Sequence, residues 1–286
     1  MTLLAARPTQ GVFQVEGWGE LHINVVYGAL TRQVNGAAYD GEWRRFGVAY
    51  SDQRNGIVKT DNRSFAARQL DHQHVNISTF GGHYIGAVER AHGIADVLLW
   101  GAAQVGSWGE LSHRAAAFAT EGGWQPRTRL APWIRGGLDY ASGDGDPNDA
   151  RHGTFFQLLP TPRQYARFPF FNLMNSVDAF GEVMVRPSKR LVTRVDVHSL
   201  RVAKGHDLWY QGGGAFQPST FGYIGQPVGG RRGLATLYDA SADMAVTERI
   251  AVGAYYAHAS GGPASAVSYP VRNTASLGYL ELLIRF

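Results

Sequence analysis

Charged side chains recur at every second position in several stretches of this sequence, a spacing that puts them on one face of an extended strand. Arg190, Arg194, Asp196 and His198 alternate with Leu191, Thr193, Val195 and Val197. Asp178, Glu182 and Arg186 alternate with Val177, Ala179, Val183 and Val185, and Arg135 and Asp139 with Ile134, Leu138 and Tyr140. The cationic excess is carried by Arg, since Lys occurs only at Lys59, Lys189 and Lys204, and Arg suits planar two-point contact with carboxylates or phosphates. The Arg residues of this parity are Arg45, Arg135, Arg186, Arg190, Arg194 and Arg285. Asp139, Asp178, Glu182, Asp196, Asp239, Asp243 and Glu281 share it, so the face is either an anion track or a set of wall charges paired with their neighbours.

Other chemistries are thinner. Asp144, Asp146, Asn148 and Asp149 crowd oxygen ligands as calcium loops do, yet the bidentate Glu of an EF-hand is missing and the same residues suit an ordinary turn. No other cofactor is expected. Ser107 lies in VGSWG, which lacks the spaced glycines of a nucleophile elbow, and Ser112-His113 and His258-Ala-Ser260 are neighbours only along the chain. The ten His residues show no HExxH spacing, and Cys is absent, which excludes disulfides and thiol catalysis. Gly212-Gly213-Gly214 and Gly229-Gly230 do not join a strand to a helix, so they are turns, not phosphate loops. An enzyme is not expected.

The elements that would position the charged faces are strands. From His22 onward the chain runs in segments of about ten residues, apolar alternating with polar or small, broken by Gly, Asp, Asn and Pro. In His22–Leu30 the apolar row is Ile23, Val25, Tyr27 and Ala29, expected to face lipid. About twelve strands are expected, among them Trp43–Asp52, Val75–Phe80, Tyr84–Glu89, Asp96–Gln104, His113–Glu121 and Trp133–Ala141. Tight hairpins fall at Pro187-Ser188-Lys189 and Thr247-Glu248-Arg249. The last strand, Leu277–Phe286, sends Gly278, Leu280, Leu282, Ile284 and Phe286 to one side. A charged row against a β-branched row is costly in lipid unless the charges face a lumen. The fold class is therefore all-β, an antiparallel transmembrane β-barrel. Trp100, Trp108, Trp124, Trp133, Tyr140, Trp209 and Tyr210 stand near segment ends, where an interfacial girdle belongs.

Composition agrees: 36 Gly, 12% aromatic and only 17% charged residues, with a net charge of +4 and a pI near 9.4. The longest apolar run, around Val97–Val105, is far shorter than the roughly 20 residues of a spanning helix. Residues 1–21 form a poorly defined N-terminal segment without the basic start, apolar stretch and cleavage site of a secretory signal. The expectation is that the signal is removed from this numbering, or that the chain is the C-terminal part of a longer barrel. Residues 22–286 form the barrel domain.

Several stretches resemble the alginate export family of outer-membrane porins: HVNISTFGGH at 74–83, DVLLWGAAQVGSWG at 96–109, GDGDPND and HGTFFQLLPTPRQYARFPFFNLMN within 143–175, DLWYQGGGAF at 207–216 and the closing GYLELLIRF. The resemblance spans roughly residues 20–286 and implies a barrel in the bacterial outer membrane that exports an anionic exopolysaccharide such as alginate. Its implied partners are that polysaccharide, outer-membrane lipid and lipopolysaccharide, and a periplasmic secretion-complex protein, with no nucleic acid. Arg163 and Arg167, in the long 142–175 connection, would join the basic track if that loop folds into the pore, and would lie outside it if the loop packs on the rim. The competing readings are a general or small-solute porin without polymer selectivity and a rim-active outer-membrane hydrolase.

Overall fold

Alternation at period two, sustained over strands of up to sixteen residues, builds one large sheet. The computed structural model describes residues 1–9, 19–159, 167–217 and 220–286. Its strands begin with β1 (Thr2–Ala6), β2 (Ile23–Gly36), β3 (Tyr39–Asp52), β4 (Val75–Arg90), β5 (Gly93–Trp108), β6 (Leu111–Pro126) and β7 (Trp133–Ala141). They continue with β8 (Arg151–His152), β9 (Ser176–Ser188), β10 (Leu191–Val202), β11 (Leu208–Gly212), β12 (Tyr223–Pro227), β13 (Gly233–Ala245), β14 (Ile250–Gly261) and β15 (Thr274–Ile284). Neighbours along β1-β2-β3-β4-β5-β6-β7-β9-β10-β13-β14-β15 are antiparallel. β8 adds a two-residue parallel pairing to the start of β6, and β11–β12 form a separate hairpin. Among the described residues no ladder joins β1 to β15.

Two sequence expectations are corrected. Val75–Phe80 and Tyr84–Glu89 are one strand, β4, because Gly81 and Gly82 stay in register with Phe46 and Arg45 on β3. The apolar row of β2 faces inward: Ile23 and Val25 are buried, while Val26, Leu30 and Val34 of the other row are exposed.

The two faces are inverted relative to a soluble domain. Outward side chains are large and apolar, including Phe80, Leu99, Val105, Phe118, Ile134, Val195, Val197, Tyr256 and Leu280. Inward ones include buried Gln104, His113, Asp139, Asp178, Glu182, Asp196, His198 and Asp239. The sheet curls: one cavity of about 720 Å³ is lined by Gln33 and Asn35 of β2 and by Met184 and Arg186 of β9. The ends differ as well. The turns 37–38, 91–92, 127–132, 189–190 and 246–249 lie at one end, and the turn 109–110 and the long connections 53–74, 142–175, 203–232 and 262–273 lie at the other. The described parts of those long segments fold inward. Phe156, Met174, Tyr210, Phe221 and Tyr223 pack against Ile23, Val25, Tyr50, Ile77 and Trp108 of the wall, which is why the apolar row of β2 points inside. Tryptophans follow the same logic. Trp108, Trp209 and Tyr210 are buried, and Trp100 and Trp133 line inner cavities, so of the expected girdle only Trp124 and Tyr140 keep outward parity.

Candidate functional site

The inner wall carries a charged belt across five neighbouring strands, built by register. Glu182 of β9 stands opposite Arg135 of β7 and Asp196 of β10, and Asp196 opposite Asp239 of β13. Arg135 donates to Glu121 and lies 3.6 Å from Glu182, with its guanidinium 4.4 Å from the Trp133 ring centroid. Arg194 reaches Asp196 at 2.6 Å, Asp239 at 3.4 Å and Glu182 at 3.6 Å. His198 shares a 2.8 Å hydrogen bond with Asp178, which stands opposite Asp139. Carboxylates therefore outnumber guanidiniums: Glu121, Asp139, Asp178, Glu182, Asp196 and Asp239 surround Arg135 and Arg194. A cavity of about 430 Å³ borders most of these groups, and Arg135, Ile85 and Leu98 line both it and the larger one.

The other expected site residues are dispersed. Arg45 is corrected: it registers with exposed Leu30 and lies over the Trp43 ring, on the outer face. Arg44, one residue earlier, is the inward cation, bonded to Thr31 and 3.6 Å from Glu42. Arg186 lines the larger cavity, Arg190 lies in a short turn, and Arg285 follows β15. Arg167 reaches inward to Asp243 of β13 at 3.3 Å, with its guanidinium 5.9 Å from the centroid of the Tyr255 ring. Buried Phe155, Phe156, Phe171, Leu173 and Met174 put the described part of this connection inside the barrel. Arg163 lies outside the described residues. Asp144, Asp146 and Asp149 are occupied by loop backbone: they accept from the amides of Asp146, Asn148 and Arg151. They do not converge on one point, and among the described residues a single group of three acids or His does so, Asp196, His198 and Asp239.

Sequence parity missed the polar interior of the loop cluster. Asp207 accepts from the amides of Asp144 and Leu208 and from the hydroxyls of Thr154 and Tyr210. Burial pushes its carboxyl up to about 6 against those four donors. Arg63 joins Asp61 and Asp71 at 2.9 Å each, Lys59 lies 3.2 Å from Asp71, and the Trp108 indole donates to Asp61. Burial would raise the Asp71 carboxyl, but Arg63 and Lys59 overcome it and lower the pKa. His152 stacks on Trp108 at 4.2 Å and bonds His113 at 2.8 Å. Burial, with His113 and Arg63 nearby, pushes the His152 pKa far down. His113 and His152 are 39 residues apart and Asp144 and Asp207 are 63, so no local pattern betrays those contacts.

A curled antiparallel sheet with an apolar exterior, a charged interior and loops folded into one end defines a transmembrane β-barrel. None of its described helices is long and apolar enough to cross a membrane. The family model described as alginate export matches residues 31–269, and the chain belongs to that family, one of outer-membrane β-barrels that serve polysaccharide export. No curated protein matches the chain.

Proposed function

We propose that this barrel sits in the bacterial outer membrane and passes an anionic exopolysaccharide, such as alginate, outward. The observation that carries the reading is the charge of the short-turn end. Its turns and the residues after β15 hold Arg127, which pairs with Glu89 at the end of β4, and Arg129, Lys189, Arg190, Arg249 and Arg285, with Glu248 as the one carboxylate side chain in the turns themselves. Short turns of such barrels are periplasmic, so a polyuronate delivered by a periplasmic secretion partner would meet a cationic mouth that raises its local concentration. Beyond it, Arg186, Arg135, Arg194 and Arg167 add further inward cations, each of the last three held by carboxylates. Divided attraction suits passage, because conduction requires weak, repeated sites. The apolar outer face meets lipid and lipopolysaccharide.

The acid excess of the belt favours a second reading, a porin for small solutes without polymer selectivity. Planar-bilayer recordings separate them. Reversal potentials should favour anions, oligouronate should block, and changing Arg129, Lys189, Arg190 and Arg285 together to Gln should weaken block by about tenfold or more, the factor that about 1.4 kcal/mol represents. Cation preference with no oligouronate block would establish the small-solute porin instead.

A further inference from the structure

We propose that Asp196, His198 and Asp239 form a binding site for a first-row transition-metal dication of the zinc class, set in the barrel wall between β10 and β13. Strand geometry builds it. Asp196 and His198 are two apart on β10 and share the inner face, and Asp239 is the direct cross-strand partner of Asp196. One ligand atom from each lies within 4.8 Å of the other two, and all three residues are buried.

Two further observations point to a ligand and not merely to an acidic cluster. His198 Nδ1 is bonded to Asp178 at 2.8 Å, the carboxylate–histidine arrangement that fixes the tautomer and leaves Nε2 with a free lone pair. That Nε2 is buried and has no hydrogen-bond partner, and neither has Oδ1 of Asp196. Both residues are only 2% exposed, and the two unpartnered atoms are themselves buried.

Charge favours the same conclusion. The belt sets six carboxylates against the two guanidiniums of Arg135 and Arg194, an excess of acidic ligands that a dication would offset. Arg194 leaves one ligand oxygen bare: its Nη2 reaches Oδ2 of Asp196 at 2.6 Å and Oδ1 of Asp239 at 3.4 Å, while Oδ1 of Asp196 has no partner. One imidazole with two carboxylates suits zinc better than magnesium or calcium, which take all-oxygen shells. Three protein ligands leave a fourth position for water.

The test uses the protein purified from outer membranes in detergent, stripped with EDTA and titrated with Zn²⁺, with bound metal counted by mass spectrometry. Wild type should hold one zinc per chain, His198→Ala should lose at least a hundredfold in affinity, and Asp178→Asn, which is no ligand but holds His198 Nδ1, about ten- to hundredfold. Heat-modifiable mobility on gels verifies that each variant is folded. Should His198→Ala not fold, the visible spectrum of the Co²⁺-loaded protein decides: it should shift in Asp178→Asn. Zinc retained in His198→Ala, zinc lost instead in His152→Ala, or a cobalt spectrum indifferent to Asp178 would each overturn the proposal. Because zinc alone is the probe, the outcome is independent of whether polyuronate passes.

Discussion

The ring of Phe46 on β3 covers Gly81 on β4: a Cβ at Gly81 would come within 2.5 Å of Phe46 Cζ and 2.6 Å of the Gly101 carbonyl oxygen. The ring can rotate away, but the carbonyl belongs to the β4–β5 ladder. Gly81→Ala should therefore destabilise the barrel by about 1–3 kcal/mol through overpacking, read as a lower urea midpoint in liposomes. Phe46→Ala added to it should recover only part of that loss, and full recovery would show that the backbone contact is harmless.

The same pair shows what sequence can and cannot reveal. Gly81-Gly82 looks like a break, since glycine weakens a strand unless something fills its place. Here Phe46 fills it from another strand, a contact no local pattern contains. Period-two alternation did place Asp139, Asp178, Glu182, Asp196 and Asp239 on one face, because parity survives wherever a strand has no bulge. It failed at Arg45, where Trp43 and Arg45 hold the outer parity and Arg44 the inner. It also failed to anticipate that the apolar row of β2 faces in, because the loops that cover that row arrive from residues 156 to 223.

Arg194 is the only guanidinium within 4 Å of Asp196 and Asp239 among the described residues. Arg194→Gln leaves these carboxylates without it, and removing one partner of a buried ion network costs about 3–5 kcal/mol. Arg190→Gln, in an exposed turn, should stay within about 0.5 kcal/mol of wild type. Unfolding in guanidinium measures both, and equal stabilities would mean that solvent in the lumen already screens the belt.

Val195, 57% exposed between Arg194 and Asp196, faces away from the lumen near the middle of β10. Val195→Arg should lower stability in phospholipid vesicles by about 2–4 kcal/mol, the penalty for a cation at the bilayer midplane. A surface substitution on a water-exposed sheet would stay near zero. Near-neutrality of this variant would therefore remove the outer face of β10 from the membrane.

Asp207 gives the loop cluster a pH dependence of unusual sign. Its pKa is about 6 in the folded protein against 3.8 for an ordinary Asp side chain, so the folded state holds the proton longer. Stability from this group is greatest below the lower value, falls as pH rises between the two, and levels off above about 6, a loss of about 3 kcal/mol. The depressed His152 acts oppositely, losing stability as pH falls below the ordinary His value. The informative quantity is thus the difference between wild type and Asp207→Asn, which removes the Asp207 titration alone. The amides of Asp144 and Leu208 donate to Asp207 and report its opening. Their hydrogen-exchange protection, corrected for intrinsic exchange, should fall more steeply from pH 4.5 to 7 in wild type than in Asp207→Asn. At pH 5 the variant should be the less protected of the two, because its amide NH₂ faces donors where the carboxyl accepted. Parallel slopes would mean that Asp207 is already ionised across this range and that its four donors outweigh its burial.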